Sequence, residues 1–125
     1  MSQSPLITIV DDDTSIREAI EGLLKASGFV TEAFPSAEAF LGSERLNDTA
    51  CLITDLQLGG MSGLQLMRHL AVLGYTVPVI VITAFAEDGR RALAGGALRV
   101  LEKPVVKDEL LACIRSALQS GGHAP

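Results

Sequence analysis

The feature that most constrains this chain is an alternation. Five short apolar runs are each followed by a stretch that carries helix signals. "LITIV" (Leu6–Val10), "FVTEAF" (Phe29–Phe34), "ACLIT" (Ala50–Thr54), "VPVIVI" (Val77–Ile82) and "LRVLE" (Leu98–Glu102) read as strands, because they are short and mostly rich in β-branched residues. After the first run, Ile16, Ala19, Ile20, Leu23 and Leu24 form one apolar helical stripe, and Gly28 stands where a C′ glycine belongs. Pro35 ends the second run, and Ser36 can cap a short helix through "AEAFLGS". "LQLMRHLAVLG" predicts a third helix with Leu64, Met67, Leu70 and Ala71 inward. "EDGRRALAGG" predicts a short or irregular fourth helix, weakened by Gly89 and two later glycines. "VKDELLACIRSAL" predicts a fifth, with Val106, Leu110, Leu111, Ile114 and Leu118 on one face.

Strands and helices in strict alternation imply a parallel sheet covered on both faces. Right-handed crossovers limit the topologies. Five such units suit a flavodoxin-like (βα)5 doubly wound α/β sheet with strand order 2-1-3-4-5. A chain of 125 residues suits a single domain, expected to span 1–125 with a core over about 6–118 and "QSGGHAP" (119–125) as a tail. The net charge of −5 argues against nucleic-acid binding or an anionic membrane surface as the partner. Cys51 and Cys113 belong to no CxxC or Cys/His cluster and read as core thiols, which fits a reducing, cytoplasmic compartment. "MSQSP" lacks the marks of a signal peptide, and no apolar run is long enough to span a membrane.

In such a sheet, ligands bind beyond the carboxyl ends of the strands. Strand 1 is followed by Asp11, Asp12 and Asp13, and strand 3 by Asp55. Strand 4 ends in Thr83, and strand 5 is followed by Lys103 and Pro104. Parallel strands bring these groups to one edge. Three adjacent acids repel one another unless they are solvated or neutralised. Asp13 reads best as the cap of the first helix. Asp11, Asp12 and Asp55, converging with no histidine or cysteine, suit a hard divalent cation, most simply Mg²⁺. Lys103 and Thr83 alongside would complete a phosphoryl cradle, with Asp55 as the nucleophile that becomes an aspartyl phosphate. His69, His123 and the Arg90/Arg91 pair read as solvated groups.

"IVDDD", "LITDLQLGGMSG", "VITA" and "LEKP", in this order, resemble the receiver domain of two-component response regulators. "SAEAFL", "TDL…MSG" and "EKP" are most similar to FixJ-type receivers, which usually precede a LuxR-type helix-turn-helix domain. The resemblance implies that Asp55 accepts a phosphoryl group from a sensor histidine kinase. It implies that Asp12, Asp55 and the backbone carbonyl of Gln57 ligate Mg²⁺, with Asp11 acting mostly through a metal-bound water. Lys103 would contact the phosphoryl oxygens, and the Lys103–Pro104 peptide would be cis. Thr83 would move to the phosphoryl group and carry the signal outward. The expected role is that of a signalling domain that catalyses only its own phosphotransfer and dephosphorylation. Transcription would be controlled through a DNA-binding domain not in this chain. A phosphorylation-dependent homodimer stays open.

Three departures from the family pattern qualify that expectation. Leu58 and Gly59 stand where most receivers have Met-Pro, and Val100 stands where an aromatic is usual. The segment from Thr83 to Lys103 is also shorter than is typical. Phe85, two residues past Thr83, is expected to shield the phosphoryl group. Two rival readings remain at this stage. One is a pseudo-receiver, an interaction module not regulated by phosphorylation. The other is an Mg²⁺-dependent aspartyl-phosphate phosphatase, against which Gln57 counts because it supplies no general acid.

Overall fold

The computed structural model describes residues 4–121. In chain order the elements are β1 (Leu6–Val10), α1 (Thr14–Ala26), β2 (Val30–Phe34), α2 (Ala37–Leu41), β3 (Thr49–Asp55), α3 (Gly63–Val72), β4 (Val79–Thr83), α4 (Ala86–Ala94), β5 (Arg99–Glu102) and α5 (Lys107–Gly121). A 3-10 turn at Glu44–Leu46 precedes β3. The strands form one parallel sheet in the order β2-β1-β3-β4-β5. This is the expected doubly wound fold.

Successive side chains of a strand point to opposite faces, so each central strand feeds two cores. Ile7, Ile9, Ile53, Ile80 and Ile82 pack on one face against Ile20 and Leu24 of α1 and Leu110 and Ile114 of α5. Val10, Leu52, Val79 and Val81 pack on the other against Phe40 of α2, Leu66 and Leu70 of α3 and Ala92 of α4. Each Val, Leu, Ile or Phe among them contributes about 1.5–3 kcal/mol by leaving water. Strands β1 and β4 are buried along their whole length and β3 from Cys51 onward, so none of them needs an alternating pattern.

The structure corrects the expected inward face of α3. Gly63, Leu66, Met67 and Leu70 are buried, whereas Ala71 is exposed and Leu64 half-buried. The inward face is set by packing: Leu66, Met67 and Leu70 join the core around Val10, Leu52 and Val81, and Leu64 packs at its margin. Ser62 caps Gln65 N–H, and the Gln65 side chain returns to Ser62 N–H, which fixes where the helix begins. In α5, Val106 precedes the helix and is exposed, and Ala117 completes the buried face. The fourth helix is short, as expected, but regular. Gly89 lies buried against β5, where an added Cβ would stand 3.1 Å from Val100 Cγ1. Helix α5 reaches Gly121, so Gln119–Gly121 are helical rather than part of a tail. Residues 1–3 and 122–125, including His123, lie outside the described residues.

Candidate functional site

The three consecutive acids after β1 have three different fates. Asp13 is the N-cap of α1, its Oδ1 accepting from Ile16 N–H at 3.1 Å. Asp11 is only 2% exposed. Its Oδ1 accepts from Asp13 N–H at 2.9 Å, and its backbone carbonyl accepts from Arg17 Nη1 at 2.7 Å. Asp12 faces solvent and reaches across to the β3–α3 loop, where its Oδ2 accepts from Gly59 N–H at 3.1 Å. The repulsion is thus relieved by separation and by local donors.

Asp55 is the last residue of β3 and is 7% exposed. Its Oδ1 accepts from Gln57 N–H at 2.9 Å, and its Oδ2 accepts from Lys103 Nζ at 2.5 Å. The same ammonium stands 3.8 Å from Asp11 Oδ2. Lys103 is delivered there by β5, because its backbone N–H continues the ladder to Thr83 O at 2.8 Å. The Lys103–Pro104 peptide is cis. The loop after Asp55 is closed tightly. Gly63 N–H donates to Leu56 O at 2.9 Å, and a Cβ on Gly63 would run into the backbone of Asp55.

Charge at this edge is finely balanced. Burial pushes the Asp11 carboxyl above its ordinary value; the Asp13 N–H and Lys103 oppose that rise, and the charges of Asp55 and Asp12 add to it. Burial pulls the Lys103 ammonium down, but its hydrogen bond to Asp55 and the charge of Asp11 outweigh this and hold it above its ordinary value. One cation serves two acids.

The structure therefore brings Asp11, Asp55 and Lys103 together. Thr83 lies at the adjacent strand end, 1% exposed, but its Oγ1 accepts from Phe85 N–H at 3.2 Å and so faces its own loop. Gln57 binds Asp55 through its backbone. Phe85 is 56% exposed and flanks a crevice shared with Gln57 and Asp88. Among the described residues, no three His, Cys, Asp or Glu side chains already form a metal-binding group. The donors present are nonetheless all hard oxygens, and Asp11 is raised in part by its acidic neighbours, a strain that a divalent cation would relieve.

Sequence reasoning missed two acids at this edge. Glu38 of α2 reaches the β3–α3 loop, where its Oε2 accepts from Met61 N–H at 2.9 Å. Asp88 of α4 is 6% exposed, and its carboxylate accepts from Gln57 Nε2 at 2.8 Å and from Arg91 Nη1 at 3.2 Å. The Asp88/Arg91 spacing is a helical ion-pair signal, but nothing in the sequence links Asp88 to Gln57.

The family model for the response regulator receiver domain matches residues 7–115. The chain is a response regulator receiver domain. The receiver is 37% identical over 119 residues to the response regulator protein TmoT of Ectopseudomonas mendocina, covering 94% of this chain and 54% of TmoT. It is 34% identical over 120 residues to the transcriptional regulatory protein FixJ of Azorhizobium caulinodans, covering 94% and 57%. The chain spans about half the length of the curated relatives it matches. Among solved structures, it superposes on the response regulator StyR with a TM-score of 0.87 at 35% identity, covering 96% of this chain and 62% of StyR. It superposes on FixJ-N with a TM-score of 0.86 at 32% identity, covering 95% and 97%. No helix among the described residues is long and apolar enough to cross a membrane.

Proposed function

We propose that this receiver accepts a phosphoryl group on Asp55 from a sensor histidine kinase. The observation that carries the reading is the Asp55 carboxylate at the end of β3, bonded to Lys103 at 2.5 Å with Asp11 alongside. Asp11, Asp12, Asp55 and the Gln57 carbonyl are the groups that would hold Mg²⁺, which when bound would offset the charge of the incoming phosphoryl group. An Asp55 oxygen attacks phosphorus, the bond from phosphorus to the donor breaks, and the donor leaves with the electron pair. Lys103 then exchanges its contact with the carboxylate for the phosphoryl oxygens. Thr83, already at the strand end, turns its hydroxyl from Phe85 N–H to the phosphoryl group and draws its loop inward. The domain works in the cytoplasm, and its output is transcriptional control through a DNA-binding domain not in this chain. The readout includes a change in self-association.

A pseudo-receiver reading is favoured by one observation. Val100, packed against Gly89, occupies a place where the family usually has a movable aromatic. Phosphatase action on other molecules is disfavoured because the Gln57 amide is engaged by Asp88 and is no proton donor of the required acidity.

The deciding experiment is intact-protein mass after incubation with acetyl phosphate and Mg²⁺, beside Asp55→Asn and an EDTA control. A single phosphoryl adduct on the wild type, absent from both controls, is expected. No adduct on the wild type would leave the pseudo-receiver reading in its place.

A further inference from the structure

Helix α4 begins after a connection of only Ala84 and Phe85 from the end of β4. Its first turn is therefore held close to the loop that follows Asp55. Asp88 lies in that turn, and a carboxylate as buried as this one needs partners. It has two on opposite sides. Its Oδ2 accepts from Gln57 Nε2 at 2.8 Å, and its Oδ1 from Arg91 Nη1 at 3.2 Å.

Gln57 is thus divided between two tasks. Its backbone N–H binds the Asp55 carboxylate, and its side chain is tied to α4. The residue is otherwise exposed, so without Asp88 its carboxamide would be free to swing toward the opening above Asp55. A carboxamide in that place can align a water for in-line attack on a phosphoryl group. In the attack, the water oxygen bonds to phosphorus as the bond from phosphorus to Asp55 breaks. The electron pair returns to the carboxylate, and the proton of the water leaves with the released phosphate.

We infer that Asp88 is a positioning residue that withdraws the Gln57 amide from the phosphoacceptor, and so lengthens the life of the aspartyl phosphate. Arg91 steadies Asp88 from the solvent side. The inference rests on the proposed function and adds to it a residue of α4 that sets how long the signal lasts.

The test compares wild type, Asp88→Ala, Asp88→Asn, Gln57→Ala and the Gln57→Ala/Asp88→Ala double variant. Each is phosphorylated with acetyl phosphate and Mg²⁺, freed of donor by desalting, and followed by intact mass. Asp88→Ala should shorten the adduct lifetime severalfold. Asp88→Asn keeps an acceptor oxygen for Gln57 Nε2 and should stay near wild type. The double variant should return to the lifetime of Gln57→Ala. A loss of the same size with and without the Gln57 side chain would mean that Asp88 only supports α4, and would overturn the assignment. A second readout needs neither metal nor phosphate. Thermal unfolding in EDTA should show coupling between the Gln57 and Asp88 substitutions, and strict additivity would overturn the contact. An adduct of unchanged lifetime in Asp88→Ala sinks this inference alone. Absence of any adduct on wild type sinks the proposed function and takes the lifetime claim with it.

Discussion

Replacing Lys103 with methionine should be costly to the unphosphorylated domain. The change keeps most of the side chain's apolar bulk and removes its charge. At an effective dielectric near 20, carboxylates 2.5 Å and 3.8 Å away attract the ammonium by roughly 7 and 4 kcal/mol. Those gross attractions are offset by the burial of all three groups. Truncating one partner costs about 3–5 kcal/mol for a fully buried pair and about 0–1 kcal/mol for an exposed one. Here the side chains of Lys103, Asp55 and Asp11 are 20%, 10% and 3% exposed, nearer the buried limit. A loss of about 2–3 kcal/mol follows, or roughly 8 °C in Tm for a domain of this size. The pH dependence follows from the raised ammonium pKa. The lysine's contribution is fully present below its unfolded value of 10.5 and is lost as pH rises through the higher folded value. The wild-type advantage should therefore hold across neutral pH and fade only in strong alkali. Calorimetry of both proteins at pH 7 in EDTA, repeated with Mg²⁺, checks this. The cation should restore part of the loss, because it neutralises the acids the lysine has left. A Lys103→Met domain as stable as wild type in EDTA would refute the reasoning and show the acids to be adequately solvated.

Asp11→Asn should stabilise the metal-free domain at pH 7. A carboxyl whose folded pKa lies above its unfolded value of 3.8 weakens the fold as pH rises through that folded value, so the gain should disappear below pH 3.8. Urea unfolding against pH in EDTA measures it, and the same variant should gain less from added Mg²⁺ than wild type does. Gly63→Ala should destabilise by about 2 kcal/mol, since its Cβ meets the Asp55 backbone rather than a yielding side chain, and it should also lower the phosphorylation rate by displacing the acceptor. Phe85→Ala should shorten the aspartyl-phosphate lifetime by opening the crevice beside Gln57, as read by adduct decay in intact mass.

Most of the candidate site was legible because each of its groups ends a strand or directly follows one. Once the strands are taken as parallel, Asp11, Asp55, Thr83 and Lys103 must meet at one edge, and no side-chain detail is needed. What escaped the sequence depends on helix rotation. In α3 the apolar residues Leu64, Leu66, Met67, Leu70 and Ala71 cover more than one face, and only packing against the sheet selects Leu66, Met67 and Leu70 and leaves Ala71 outside. The Gln57–Asp88 bond joins residues 31 apart through a helix whose tilt no local pattern encodes.

Gly89 shows the same limit from the other side. Read locally, a glycine in mid-helix lowers helix propensity by about 1 kcal/mol relative to alanine. In the fold it lets α4 lie against β5, with Val100 filling the space a Cβ would crowd. Val100 and Gly89 are then one arrangement. A smaller side chain on β5 and none on α4 let the helix settle close. Asp88, the residue before Gly89, accepts from Gln57 Nε2 at 2.8 Å. A receiver with an aromatic on β5 can signal by swinging that ring; with Val100 in its place, the proposed switch rests on Thr83 and its loop, which leads within two residues into the α4 turn that Asp88 ties to Gln57.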